Sequence, residues 1–281
     1  MSIRTILVHL DGAKQTTARV ATAAELALRH EAHLIGLAPT GRVVVPMESA
    51  AVLGLGAYEE SALRLLRERA QGCVDDFDRQ VRRLGVPAHE GRVELGLASD
   101  VMASAAKYAD VTVVSQLDPE EVRAEQSPHM PHDVLLQSGR PLLLLPHAGE
   151  WTLAPARRVL VGWNGSREAA RAMHDALPFM RMAANVQVAV FETQDDVFIN
   201  HGQVPGADIG LWLARHGMKV EVKHVPAKVS AGEALLSHAA DIDADLIVAG
   251  GYGHSRLRQS ILGGVTRTLL RSSPVPVLLS H

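Results

Sequence analysis

The residues best suited to chemistry lie near the C-terminal end of the chain. They run from Ala249-Gly250-Gly251-Tyr252-Gly253-His254-Ser255-Arg256-Leu257-Arg258 to Gly263-Gly264-Val265-Thr266. Glycines that follow an apolar strand let the backbone turn with positive φ and come close to a ligand. Successive exposed N–H groups then form a nest for an anion, and a helix expected over Val265 to Arg271 adds the favourable end of its dipole. From Leu246 to His281 there is no Asp or Glu, but there are four arginines, Arg256, Arg258, Arg267 and Arg271. Phosphate binding is the chemistry this composition suits. The segment is not a P-loop, because no Gly-Lys-Ser/Thr follows, and its spacing is not that of the dinucleotide fingerprint. Taken as bare glycines, the pattern fits equally a strand and helix that pack closely with no ligand between them.

Other candidates are weaker. His254 inside the loop either touches a phosphate or is an exposed loop side chain. The run Ser127-Pro128-His129-Met130-Pro131-His132-Asp133 offers metal-ligating types, but such runs are mostly solvated surface, and no metal site is expected. Asp195 and Asp196, after a strand over Val186 to Phe191, suit a turn better than a Mg²⁺ site. His238, at helical spacing from Leu235, reads as a half-buried helix residue rather than a catalyst. Catalysis finds no Gly-x-Ser-x-Gly elbow and no His-Glu-x-x-His, and no carboxylate is expected beside the phosphate loop to hold a metal or orient a water. No catalytic residue is therefore assigned, and an enzyme is not expected. A weak ATPase would have to draw its carboxylate from Asp195, Asp196 or the first half.

The elements that must position this loop come in two copies. Arg4-Thr5-Ile6-Leu7-Val8-His9-Leu10-Asp11-Gly12 parallels Arg157-Arg158-Val159-Leu160-Val161-Gly162-Trp163-Asn164-Gly165. Ala109-Asp110-Val111-Thr112-Val113-Val114 parallels Ala244-Asp245-Leu246-Ile247-Val248-Ala249, and Pro141 to Leu144 parallels Pro276 to Leu279 without a gap. Two domains follow, 1–148 and 155–281, in keeping with 281 residues at roughly 150 per domain. In each, apolar runs alternate with helical periodicity, the mark of βαβ units and a parallel sheet. Helices are expected over Thr16 to Arg29, Ser166 to Leu177 and Glu59 to Leu84. The last carries an apolar stripe that includes Cys73, read as a small buried hydrophobe. Leu37 to Tyr58 is longer than its counterpart and reads as a lid, a mobile loop or an added interface.

Composition narrows the classes further. A hydrophobic fraction of 47 % with 21 % charged residues excludes general disorder. The net charge of −3 argues against a nucleic-acid coat protein, which needs clustered Lys and Arg. No apolar run reaches the ~18 residues of a membrane span, and the N-terminus does not read as a signal peptide. The single cysteine makes no internal disulfide, so a reducing, cytoplasmic setting is expected.

Gly250, Gly253 and Gly263 stand in the pattern Gly-x-x-Gly, nine residues, then Gly, which resembles the nucleotide-binding loop of the universal stress protein family. The early strand ending in Asp-Gly, the Ala-Asp-Leu-Ile-Val strand and the final Pro-Val-Pro-Val-Leu strand resemble that family too. The resemblance covers both halves and implies a tandem pair of five-stranded parallel sheets of order 3-2-1-4-5, with helices on both faces. It further implies an intramolecular pseudo-dimer in which the strands at Pro141 to Leu145 and Pro276 to Leu279 pair, and it allows a homodimer of such chains. The implied ligand is an adenine nucleotide, ATP with or without Mg²⁺, and the implied role is regulatory, in a stress response and through protein partners. The implied site is Gly250, Gly253, His254, Gly263, Gly264, Val265 and Thr266 for phosphate and ribose, with Asn164 and Gly165 on the base side.

The chain departs from the family at two of these places. Asn164 stands where ATP-binding members have Asp, and Gly264 where they have Ser or Thr. Losing one charge-assisted contact costs about 1.5–3 kcal/mol, or one to two powers of ten in affinity. Thr266 is a candidate replacement hydroxyl. In the first half Asp11 is kept, but Ser115, Asp118 and Pro128 replace the three glycines, and Asp118, Glu120 and Glu121 bring negative charge. That half is not expected to bind a nucleotide in the family's manner. An interaction protein that binds no nucleotide is the alternative that these departures support.

Overall fold

The computed structural model describes residues 2–43, 55–121, 127, 129–149, 151, 156–192, 206–253 and 264–281. Its elements are grouped into two compact units. The first is Arg4–Val113 with Leu117–Ser138; the second is Gly139–His281 joined by Met1–Ile3 and Val114–Gln116.

The first unit contains β1 (Thr5–His9), α1 (Thr16–His30), β2 (His33–Pro39), α2 (Leu55–Arg83), β3 (His89–Glu94), α3 (Ala98–Ala106), the start of β4 (Val111–Ser115) and α4 (Met130–Ser138). Its strands lie in the order β3-β2-β1-β4, all parallel. The β1 and β4 runs are almost wholly buried, as strands covered on both faces must be. Gly36 on β2 lets α2 approach: a Cβ there would lie 2.9 Å from ring carbons of Phe77. The stretch Leu37 to Tyr58, read as a lid, a mobile loop or an added interface, is strand as far as Pro39 and helix from Leu55, with 44–54 outside the described residues.

The second unit contains β5 (Leu142–Leu145), β6 (Arg158–Gly162), α5 (Arg167–Met180), β7 (Asn185–Glu192), α6 (Ala207–Arg215), β8 (Val220–Pro226), α7 (Ala231–Asp241), β9 (Leu246–Gly250), α8 (Gly264–Ser272) and β10 (Val277–Ser280). Its order is β5-β10-β9-β6-β7-β8. All neighbours are parallel except β5 and β10, which pair antiparallel with Leu142 opposite Leu279 and Leu144 opposite Val277. Each repeat therefore has the expected order 3-2-1-4-5, and the expected pairing of the two last strands is present. All four leucines of β5 are buried, so an unpaired edge there would expose a sticky apolar strand.

The repeated Ala-Asp pair does the same work twice. Asp110 Oδ2 accepts the N–H groups of Arg4 and Thr5 at 2.7 and 2.9 Å, and Asp245 Oδ2 accepts those of Arg157 and Arg158 at 2.7 and 2.8 Å. A carboxylate before the fourth strand thus ties down the start of the first strand in both copies. Among the described residues no helix is long and apolar enough to cross a membrane.

Candidate functional site

In the second unit β6 and β9 run side by side, with Gly162 opposite Ala249. Chain order departs in opposite directions from this pair, toward β7 on one side and β10 on the other. At such a switch point a crevice opens beyond the strand carboxyl ends. Here it has a volume of about 140 Å³. Gly162, Trp163 and Asn164 line it from the end of β6, Phe191 from β7, and Ala231 and Leu235 from α7. Ala249, Gly250, Tyr252 and Gly253 line it from the end of β9, and Gly264, Val265 and Thr266 from the start of α8.

Asn164 Oδ1 accepts the Ser166 N–H at 3.1 Å, closing an Asx turn. Gly165 between them has φ +69°, a conformation glycine adopts without strain, and it does not line the crevice. Ser166 then caps α5, its Oγ accepting the Ala169 N–H at 3.1 Å.

The motif glycines divide into two kinds. A Cβ on Gly250 would lie 2.5 Å from Ala169 N and 2.6 Å from the Glu168 carbonyl carbon. A Cβ on Gly253 would lie 2.7 Å from Ser166 Oγ and 3.1 Å from Glu168 Oε2. What these two positions approach is the first turn of α5, which is the packing alternative rather than approach to a ligand, and the positive φ expected of the loop glycines falls on Tyr252 instead of Gly250, Gly251 or Gly253. Gly264 is different: its Cβ would meet nothing within 4 Å.

Tyr252 has φ +62°, costly for an aromatic residue and a sign of a turn held by its surroundings. Part of the hold is Thr266, whose buried Oγ1 accepts the Tyr252 N–H at 3.0 Å. That hydroxyl, a candidate for the phosphates, is engaged in bracing the loop against α8. On the other side Gly251 N–H donates to Ser280 O at 2.8 Å, and His281 Nδ1 donates to Gly251 O at 3.0 Å.

Sequence reasoning missed Glu168. It is buried in the first turn of α5, pairs with Arg167 Nε and sits against Gly253. Burial alone would raise its pKa; the Arg167 hydrogen bond, with help from the backbone and from the charges of Arg167 and His281, outweighs this and holds it below the usual glutamate range. A charged carboxylate therefore does lie beside the loop, contrary to expectation. No motif marks it, since its placement follows from the packing of α5 on the end of β9. The lining residues Trp163, Phe191, Ala231 and Leu235 were also missed; only Trp163 and Phe191, at carboxyl ends of neighbouring strands, had a signal in strand order. His238, expected to be half-buried, is buried behind Phe191, with Nε2 2.5 Å from Gln187 Oε1. His254, Gly263, Asp195 and Asp196 lie outside the described residues. Among the described residues no three His, Cys, Asp or Glu side chains gather to hold a metal.

The equivalent place in the first unit is filled by the protein itself. Asp11 Oδ1 accepts from Arg19 at 2.6 Å, Thr16 Oγ1 at 2.6 Å and Ala13 N at 3.1 Å. Glu121 Oε2 accepts the Lys14 N–H at 3.1 Å, and Asp118 Oδ2 accepts from Gln15 at 3.2 Å. Carboxylates of the chain thus satisfy donors at the start of α1 that an anion would need. His9 is buried at the end of β1, with Nδ1 3.6 Å from Asp11 Oδ2 and without a hydrogen-bond partner. Burial pushes its imidazole down to about 4, against the pull of Asp11 and with the push of Arg19.

A histidine displaced this way makes stability pH-dependent. Between pH 6.5 and about 4 the unfolded chain binds a proton that the folded one refuses, so stability is complete above pH 6.5 and falls as the pH drops through that window. At about 1.4 kcal/mol per pH unit the loss is about 3 kcal/mol. Denaturant melts of His9→Leu are expected to lose clearly less midpoint across this window than the parent chain; the remainder comes from His30, His132 and His238, whose pKa burial also lowers.

The universal stress protein family model matches residues 155–281, the whole of the second repeat. The second repeat is a universal stress protein domain. A curated universal stress protein from Synechocystis is 36% identical over 66 residues, which span 24% of this chain and 22% of that protein. A universal stress protein from Archaeoglobus fulgidus has a solved structure that superposes with a TM-score of 0.74 at 15% identity, over 98% of this chain and 97% of that one. A functionally unknown protein from Pseudomonas aeruginosa superposes with a TM-score of 0.61 at 15% identity, over 99% and 92%. At such identity these structures attest the fold alone.

Proposed function

We propose that the crevice of the second repeat binds an adenine nucleotide, ATP with Mg²⁺ being the first candidate, and that binding has a regulatory rather than a catalytic role. One juxtaposition carries the reading: an aromatic and aliphatic slot (Trp163, Phe191, Leu235, Val265) opens onto the N-terminus of α8, whose first turn contains no acid. The slot suits a flat base, and the helix start suits phosphate. A volume of about 140 Å³, below the ~300 Å³ at which drug-sized pockets begin, accommodates one ring system and leaves the phosphates along Gly264–Thr266. Domains 1–148 and 155–281, a cytoplasmic setting and a protein partner that senses the bound state belong to the same proposal.

A second reading, an interaction protein that binds no nucleotide, is favoured by Glu168, a carboxylate held charged against Gly253. The two are separated by the nucleotide content of freshly purified, heat-denatured protein and by titration of the stripped protein with Mg-ATP. Bound ATP or ADP with saturable binding supports the first reading; neither, up to millimolar nucleotide, supports the second. Because Gly264 has open space at Cβ and lines the crevice, Gly264→Ser adds a hydroxyl at no steric cost. A hydrogen bond to a charged oxygen brings about 1.5 kcal/mol, so Mg-ATP is expected to bind about tenfold more tightly to that variant in calorimetry.

A further inference from the structure

We infer that Gln116, far from the family's motifs in sequence, is a positioning residue for this crevice, acting through α8; the inference rests on the nucleotide reading for its binding arm only. The last carbonyls of a helix have no partner within it. On α8 Leu269 O takes the Ser273 N–H only at 3.4 Å, and the side chain of Gln116 adds a closer partner: Nε2 donates to Leu269 O at 3.0 Å and to Ser273 O, just beyond the helix, at 3.2 Å. The other side of the amide is used too, with Oε1 accepting from His147 N at 3.2 Å and from His147 Nδ1 at 3.1 Å. Gln116 N–H donates to Leu145 O at 2.8 Å, which fixes the residue to the end of β5. Only 5 % of Gln116 is exposed, so these bonds form where water cannot replace them.

At its other end α8 presents Gly264, Val265 and Thr266 to the crevice, and Thr266 holds the Tyr252 amide. The helix is nine residues, about 13 Å, long, and Leu269 and Ser273 lie three and seven residues beyond Thr266. A short rigid helix fixed at both ends transmits any shift at Leu269 and Ser273 to Gly264–Thr266. Repeat symmetry does not call for this amide. In the gap-free alignment of the two copies Gln116 matches Gly251, which bonds through its backbone alone. Gln116 also lies outside residues 155–281, so the family-matching segment does not contain everything that sets its own site.

The test uses the full chain. Gln116→Leu removes all the amide bonds at similar volume, and Val188→Ala, a buried β7 change away from the crevice, serves as a control for general destabilisation. Mg-ATP affinity and amide hydrogen exchange at Tyr252 and along α8 are measured on each. Gln116→Leu is expected to weaken Mg-ATP about tenfold and to speed Tyr252 exchange at least tenfold, while Val188→Ala stays within twofold on both. Unchanged affinity and exchange in Gln116→Leu, or equal changes in Val188→Ala, overturn the inference. If the parent chain binds no Mg-ATP, the functional proposal fails and the exchange arm alone decides this one. If Gln116→Leu does not fold, His147→Ala, which removes one donor to Oε1, is expected to shift both readouts twofold to fivefold in the same direction, and no shift overturns the inference.

Discussion

Arg19→Ala is expected to cost the chain about 3–5 kcal/mol, the largest effect of any single substitution proposed for the first unit. Arg19 is 2 % exposed, and its guanidinium donates to His9 O at 2.8 Å and to Asp11 Oδ1 at 2.6 Å. Truncation leaves a mostly buried carboxylate without its cation, and leaving a buried charge unpaired is what makes such changes costly. Burial by itself would raise the Asp11 pKa; Arg19, His9 and the bonds from Thr16 and Ala13 outweigh it and hold the carboxyl well below its usual range. Its stabilising contribution is therefore present above about pH 4, the ordinary aspartate value, and is lost as pH falls through the lowered one. In Arg19→Ala that acid dependence shrinks because the main counter-charge has gone. Differential scanning should show the melting transition of this variant roughly 10 °C lower at neutral pH. A fall of 1–2 °C would mean that Asp11 finds water or another donor and that the pair is not what holds this site shut.

The second large effect is at Gly250. A methyl group in Gly250→Ala would meet the backbone of Glu168 and Ala169 at 2.5–2.6 Å, where no side chain can rotate away. Either β9 or α5 must move, and overpacking of this kind costs about 3 kcal/mol. Because the same shift displaces Tyr252 and Gly253, Mg-ATP binding should fall with stability. Gly264→Ala, at the far end of the motif, should melt within about 1 °C of the parent, since nothing lies near its Cβ and alanine is the better helix former. Equal losses at the two positions would contradict the division of the motif glycines into packing and open kinds.

Why the fold was legible is visible in the repeats. Val-rich and Leu-rich runs, Asx-Gly turns and two Ala-Asp pairs recur in register, and each has a physical task that the second copy repeats. The Asp110 and Asp245 carboxylates on the first strands show this most plainly. Helix limits moved by a few residues: α5 runs to Met180 rather than Leu177, through Pro178 near its end. The crevice was only half legible. Asn164, Gly250, Gly253, Gly264, Val265 and Thr266 do line one crevice, because a motif records residues adjacent in sequence. Glu168, Phe191, Leu235 and Gln116 come from other elements, and only the packing of α5, β7, α7 and the end of β4 brings them near the loop or its helix. The role of a motif residue was also hidden. The Thr266 hydroxyl faces inward to Tyr252, and nothing in the one-dimensional pattern distinguishes that from facing a ligand.

The most direct measurement is the stoichiometry of Mg-ATP by equilibrium dialysis on nucleotide-stripped full-length protein and on Gly264→Glu. That variant meets nothing within 4 Å at its Cβ and places a carboxylate at the start of α8, where it favours the helix and repels phosphate. The expected result is one nucleotide per chain for the parent and none for Gly264→Glu at unchanged melting temperature. No binding by the parent, two nucleotides per chain, or one that survives in Gly264→Glu would contradict a single site in the crevice of the second repeat.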